Sequence, residues 1–155
     1  MSVAFRRESD EEHLEPKFER PIAPGPNLVT PRGLALIGAK VTELEAAVAA
    51  AVAEDRDVVL RELRYWHTRQ TTAEVVAPAA EGEVGIGSTV TYRLNGAERV
   101  VEIVGGDEAD PAAGKIGYQA PLARALLGAE VGERVEFAGK DEAIEVVAVA
   151  VSDGA

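Results

Sequence analysis

Two apolar stripes of helical period, one directly after the other, constrain this chain more than any other feature. Leu34, Ile37, Val41, Leu44, Val48 and Val52 recur at spacings of three and four, which puts them on one face of a helix. Thr30-Pro31 precedes them as an N-cap followed by proline at the first helical position, where its missing N–H costs nothing. The run Glu54-Asp55-Arg56-Asp57 then interrupts the pattern without an apolar residue. A second stripe runs through Val59, Leu63, Trp66, Gln70 and Ala73, and Pro78 ends it. Two stripes joined by a short polar turn bury themselves most simply against each other, so residues 30–77 are expected to form an antiparallel helical hairpin. Helices over 30–53 and 56–76 would measure about 36 and 31 Å.

From residue 84 the period changes to two. Thr89–Leu94 alternates, Asn95-Gly96 supplies a two-residue turn with positive φ angles, and Arg99–Val104 returns. Lys115–Gln119, Val135–Phe137 and Ala143–Val151 read as further strands of an antiparallel set. Pro121–Gly128 reads as a two-turn helix opened by proline and closed by glycine. The fold class expected is α+β: a helical hairpin over 30–77, then a small sheet domain over 84–151 with one short helix.

Residues 1–29 carry four positive and six negative charges and four prolines, with no helical or strand period. They are expected to be a flexible arm in which Phe5, Phe18 and Ile22 are docking points. The chain's net charge of −11 argues against free duplex DNA or RNA as a partner, since phosphate binding needs a basic footprint. With no cysteine, thiolate metal sites and thiol nucleophiles are excluded. The two histidines, His13 and His67, are too few for a His-based metal site or triad. No apolar run reaches the ~20 residues of a membrane span and no secretory leader is evident, so the expectation is a cytoplasmic protein.

The stretches Gly106-Asp107-Glu108-Ala109-Asp110-Pro111, Gly114-Lys115-Ile116-Gly117-Tyr118, Pro121 to Gly128 and Val131-Gly132-Glu133, in that order, closely resemble the C-terminal domain of the bacterial Gre transcript-cleavage factors. Val29 to Leu34 is similar to the start of the Gre N-terminal hairpin. The resemblance implies an FKBP-like C-terminal domain joined to an antiparallel coiled coil. It also implies docking of that domain on RNA polymerase and insertion of the coiled coil into the secondary channel. Two departures accompany it. The acidic tip motif Gly-Asp-Leu-Ser-Glu-Asn of cleavage-stimulating members is absent, and each arm is shorter by about ten residues, or ~15 Å of reach.

On this resemblance Glu54, Asp55 and Asp57 are the tip carboxylates that could contact a magnesium ion shared with RNA polymerase; otherwise Asp55 or Asp57 caps the second helix. No other cofactor is expected. Asp107, Glu108, Asp110, Pro111, Pro121 and Leu122 are the polymerase-binding candidates, and their plain alternative is an acidic turn punctuated by Asp110-Pro111. Arg61, Arg64 and Arg69, with Tyr65 beside them, are the candidates for contact with the transcript; the alternative is a solvated helix face. The function expected is an elongation regulator that occupies the channel and modulates or competes. Cleavage stimulation by the tip, or a role like that of the Gre-like regulators of nucleoside diphosphate kinase, stands as the alternative. Peptidyl-prolyl isomerisation, suggested by fold alone, comes last, because Tyr92, Tyr118 and Phe137 are a sparse aromatic lining.

Overall fold

The computed structural model describes residues 19–152, and the expectations for Phe5, His13 and Phe18 lie outside them. The described chain is α+β and divides into two compact units. One comprises residues 37–72 with 19–25; the other comprises Pro26–Leu36 with residues 73–152.

Helix α1 spans Pro31–Ala50 and α2 spans Ala53–Thr72. The start of α1 follows from Thr30: its carbonyl accepts from Leu34 N at 2.9 Å and its hydroxyl from Gly33 N at 2.9 Å. The break between the helices falls at Ala51-Val52, where the carbonyl of Val52 accepts from the Asp55 and Arg56 amides. Along the expected stripes Ile37, Val41 and Trp66 are buried. Val52 is exposed, so apolar burial fades toward the break. A Cβ at Gly38 would sit 3.6 Å from the Gln70 amide, and His67 Nε2 lies 3.8 Å from Glu45 Oε2, so the two helices run back alongside each other. Trp66 meets Tyr65 edge to face at 5.2 Å.

The second unit opens with β1, Asn27–Val29, which pairs in parallel with β2, Ala73–Val75. Both assignments correct the sequence reading. Residues 27–29 were expected in the arm and residues 73–75 in the second helix. Pairing wins here because β1 leads into α1 and β2 leaves α2, so each strand satisfies backbone groups the other would leave open.

The main sheet has the order β5-β4-β3-β7-β6, with β3 Ser88–Leu94, β4 Ala97–Val104, β5 Lys115–Gly117, β6 Arg134–Phe137 and β7 Lys140–Val151. Asn95 and Gly96, at φ 53° and 76°, make the tight turn between β3 and β4. Four pairings were expected to be antiparallel, but β5 runs parallel to β4, with Glu102 opposite Lys115 and Val104 opposite Gly117. The reason is the connection: residues 105–114 carry the chain back past the end of β4 before β5 begins. Helix α3, Pro121–Leu126, lays Ala123 and Leu126 on a core of Val90, Tyr92, Ile103, Ile144 and Val146. No helix among the described residues is long and apolar enough to cross a membrane.

Candidate functional site

The connection from β4 to β5 is where the sequence-predicted docking residues meet. Gly105 starts it in close contact with β1: a Cβ there would lie 2.7 Å from the Leu28 carbonyl oxygen. Gly106–Glu108 then form one 3-10 turn and Pro111–Ala113 a second. Asp110 and Lys115 close the second turn by exchanging backbone bonds of 2.9 and 3.0 Å. Tyr118, just after β5, donates its hydroxyl to the Pro26 carbonyl at 2.7 Å.

Of the acidic residues on this connection, Glu108 is not available to a partner. Its side chain is 3% exposed. Its carboxylate accepts from the Thr30 hydroxyl at 2.6 Å and from Arg32 Nε at 2.7 Å. Arg32 also pairs with Glu102. The Glu108 hydrogen bond is the main reason the Arg32 guanidinium is held above its ordinary value, with Glu102 adding to it against a desolvation cost. The resemblance placed Glu108 on the docking surface together with the other acidic residues of its loop. It had no view of Thr30 and Arg32, more than seventy positions away, whose hydrogen bonds compensate a buried carboxylate. The residues that remain at the surface are Asp110, Pro111 and Pro121, with Asp107 and Leu122 half-buried.

The three tip carboxylates fall inside α2 rather than in a turn. Glu54 and Asp55 lie in its first turn, and the chain reverses ahead of them at Ala51-Val52. Neither Asp55 nor Asp57 caps the helix; the residue before it is Val52, which has no side chain able to cap. All three are exposed and sit where the helix dipole favours negative charge. Among the described residues no three His, Cys, Asp or Glu side chains converge as a metal set.

The three arginines of α2 assigned to the transcript part company. Arg61 is 9% exposed and cannot reach a phosphate in solvent, which corrects its assignment to transcript contact. Arg64 is exposed and forks onto the Glu19 carboxylate, with bonds of 3.0, 3.1 and 2.5 Å. That fork holds the Glu19 carboxyl below its usual range. Arg69 lies 5.9 Å from the Tyr65 ring centroid, on whose face Arg20 sits at 3.9 Å. Glu19 and Arg20 belong to the segment read from sequence as a flexible arm.

A cavity of about 370 Å³ opens among Ala79, Ala80, Glu81, Ser88, Val149 and Val151, and no aromatic side chain lines it. Tyr92 is buried in the core and Tyr118 is tied to the Pro26 carbonyl, so these rings do not make the concave aromatic lining that binding a prolyl peptide requires.

The sheet unit, with its acidic connection and short proline-led helix, is a module of the transcription elongation factors. Residues 79–153 match the family described as transcription elongation factor GreA/GreB, C-terminal. Transcription elongation factor GreA of Bacillus cereus is 41% identical over 70 residues, which cover 43% of this chain and 44% of that protein. GreA of Chloroflexus aggregans is 40% identical over 95 residues, 59% of this chain and 57% of that protein. The chain thus spans about half the length of the curated relatives it matches. Among solved structures, GreA/GreB from Nitrosomonas europaea superposes with a TM-score of 0.40 and 22% identity, over 82% of this chain and 99% of that one. For the GreA factor homolog 1 (Gfh1) protein of Thermus thermophilus the TM-score is 0.39 and the identity 16%, over 81% and 99%. Residues 79–153, about half of the chain, thus belong to the family of GreA/GreB C-terminal domains.

Proposed function

We propose that this protein binds RNA polymerase through its FKBP-like C-terminal domain and places α1 and α2, as a short coiled-coil hairpin, at or in the secondary channel. It modulates transcription or competes with cleavage factors there, and it brings no active site of its own. The observation that carries this reading is the match of residues 79–153 to the GreA/GreB C-terminal family. Two features of the helices favour modulation over cleavage stimulation. Each has twenty residues, about 30 Å at 1.5 Å per residue. The apex between them is the apolar pair Ala51-Val52, with Glu54 and Asp55 following in the first turn of α2 rather than in the turn itself. A carboxylate must touch a metal ion to assist it, and a hairpin of this length carries Glu54, Asp55 and Asp57 only about 30 Å from the far ends of its helices.

Docking is assigned to Asp107, Asp110, Pro111, Pro121 and Leu122, whose acidic members would pair with basic groups on the polymerase. Binding of the full chain to immobilised RNA polymerase tests this. Asp107→Lys and Asp110→Lys should each weaken binding about tenfold or more, because a reversed charge meets the same basic surface. Asp55→Ala should leave binding unchanged. Equal losses from all three substitutions would contradict the division of labour between connection and helices.

A further inference from the structure

Arg64 and Tyr65 are covered in this structure by two consecutive residues of the chain's own N-terminal segment. Glu19 takes the Arg64 fork through both carboxylate oxygens, and the planar Arg20 guanidinium lies on the Tyr65 ring while its Nη1 donates to Glu62 at 3.0 Å. This dipeptide offers the helix what a single nucleotide would offer. Its carboxylate meets a guanidinium fork that binds phosphate equally well. Its flat cation covers an aromatic face on which a nucleobase would stack.

We propose that Glu19-Arg20 is a built-in competitor seated on a single-stranded RNA surface of α2, where Arg64 takes a phosphate and Tyr65 stacks a base once the segment lifts. The contacts suit a displaceable occupant. The Glu19 and Arg64 side chains are 57% and 54% exposed, and exposed ion pairs are weak and screened by salt. RNA is favoured over a peptide because the surface joins an aromatic face to arginines, with Arg69 also near the Tyr65 ring. Against a net charge of −11 a polyanion is drawn to such a basic patch, and the Glu19 carboxylate neutralises the Arg64 end of it. The inference draws on the proposed function only for where an RNA strand would be met.

The test uses the full chain without polymerase. The double variant Glu19→Ala/Arg20→Ala removes one negative and one positive charge and leaves the net charge at −11. A change in RNA affinity therefore cannot come from bulk electrostatics. Anisotropy of a short labelled oligouridylate at low salt should show about tenfold tighter binding by the double variant, since an internal competitor reduces apparent affinity by the fraction of closed molecules. Adding Arg64→Ala in that background should remove the gain. Trp66, the single tryptophan, lies 5.7 Å from the Arg20 guanidinium and reports the same event. Added salt should move its wild-type emission toward that of the double variant. Equal RNA binding by wild type and double variant, no binding by either, or identical Trp66 emission in both would overturn the proposal. None of these outcomes bears on docking through the C-terminal domain, which the polymerase-binding variants test separately.

Discussion

Glu108→Ala should destabilise the sheet unit by about 3 kcal/mol, although the residue sits in a loop among surface acids. Removing the carboxylate leaves the Thr30 hydroxyl without its acceptor and Arg32 without the carboxylate at its Nε. The Arg32 side chain is 33% exposed and keeps Glu102, so solvent recovers part of the loss and the effect falls at the lower end for a broken buried pair. Glu108→Gln should fall between wild type and alanine, because the amide keeps an acceptor oxygen but not the charge. Asp110→Ala, at an exposed residue held through its backbone, should change stability by less than about 0.5 kcal/mol. Urea unfolding followed by far-UV circular dichroism measures all three. An effect of Glu108→Ala as small as that of Asp110→Ala would mean that Glu108 is a surface residue after all.

Gly105→Ala should cost about 1–3 kcal/mol, while Gly106→Ala, one position on, should be neutral or slightly stabilising. The backbone of Gly105, at φ −70° and ψ 164°, is one alanine adopts freely, so torsional strain plays no part. What differs is space. The new Cβ at Gly105 would meet the Leu28 carbonyl oxygen at 2.7 Å and Val29 Cα at 3.4 Å, and these are backbone atoms that move only with β1. At Gly106 nothing stands within 4 Å. Replacing an unconstrained glycine restricts the unfolded chain and stabilises by about 0.4–1 kcal/mol. The two substitutions therefore differ in sign, and thermal unfolding of the pair reads that sign directly. Stabilisation by both would show that β1 does not press on the connection.

These two sites also mark the limit of what could be read from the sequence. The elements were legible where the pattern is local. The helical stripes, the Asn95-Gly96 turn and the proline-to-glycine bounds of α3 each depend on residues within a few positions. The Thr30-Pro31 cap held for the same reason. What was not legible depends on distant partners. The parallel pairing of β1 with β2 joins residues 46 positions apart, and neither three-residue strand has a period of its own. Glu108 and Arg61 have nothing in their neighbouring sequence to mark them as buried, since a loop acid and a helix arginine are exposed by default. The attachment of Glu19 and Arg20 was hidden because a proline-rich charged segment has no signal for the single ion pair or stacked cation that holds it. The resemblance to the Gre C-terminal domain located the docking connection as a whole. It could not distinguish its inward-facing residue from its outward-facing ones.

The central claim is that this protein acts on RNA polymerase without supplying metal ligands. Transcript cleavage in purified backtracked elongation complexes tests it most directly, with this protein and a cognate cleavage factor added separately and together. The expected result is no cleavage above the intrinsic rate with the protein alone, and dose-dependent suppression of the cleavage factor when both are present. Cleavage above the intrinsic rate that is lost in Asp55→Ala/Asp57→Ala would contradict the account, because it would mean that carboxylates at the start of α2 reach the polymerase active centre despite the short hairpin.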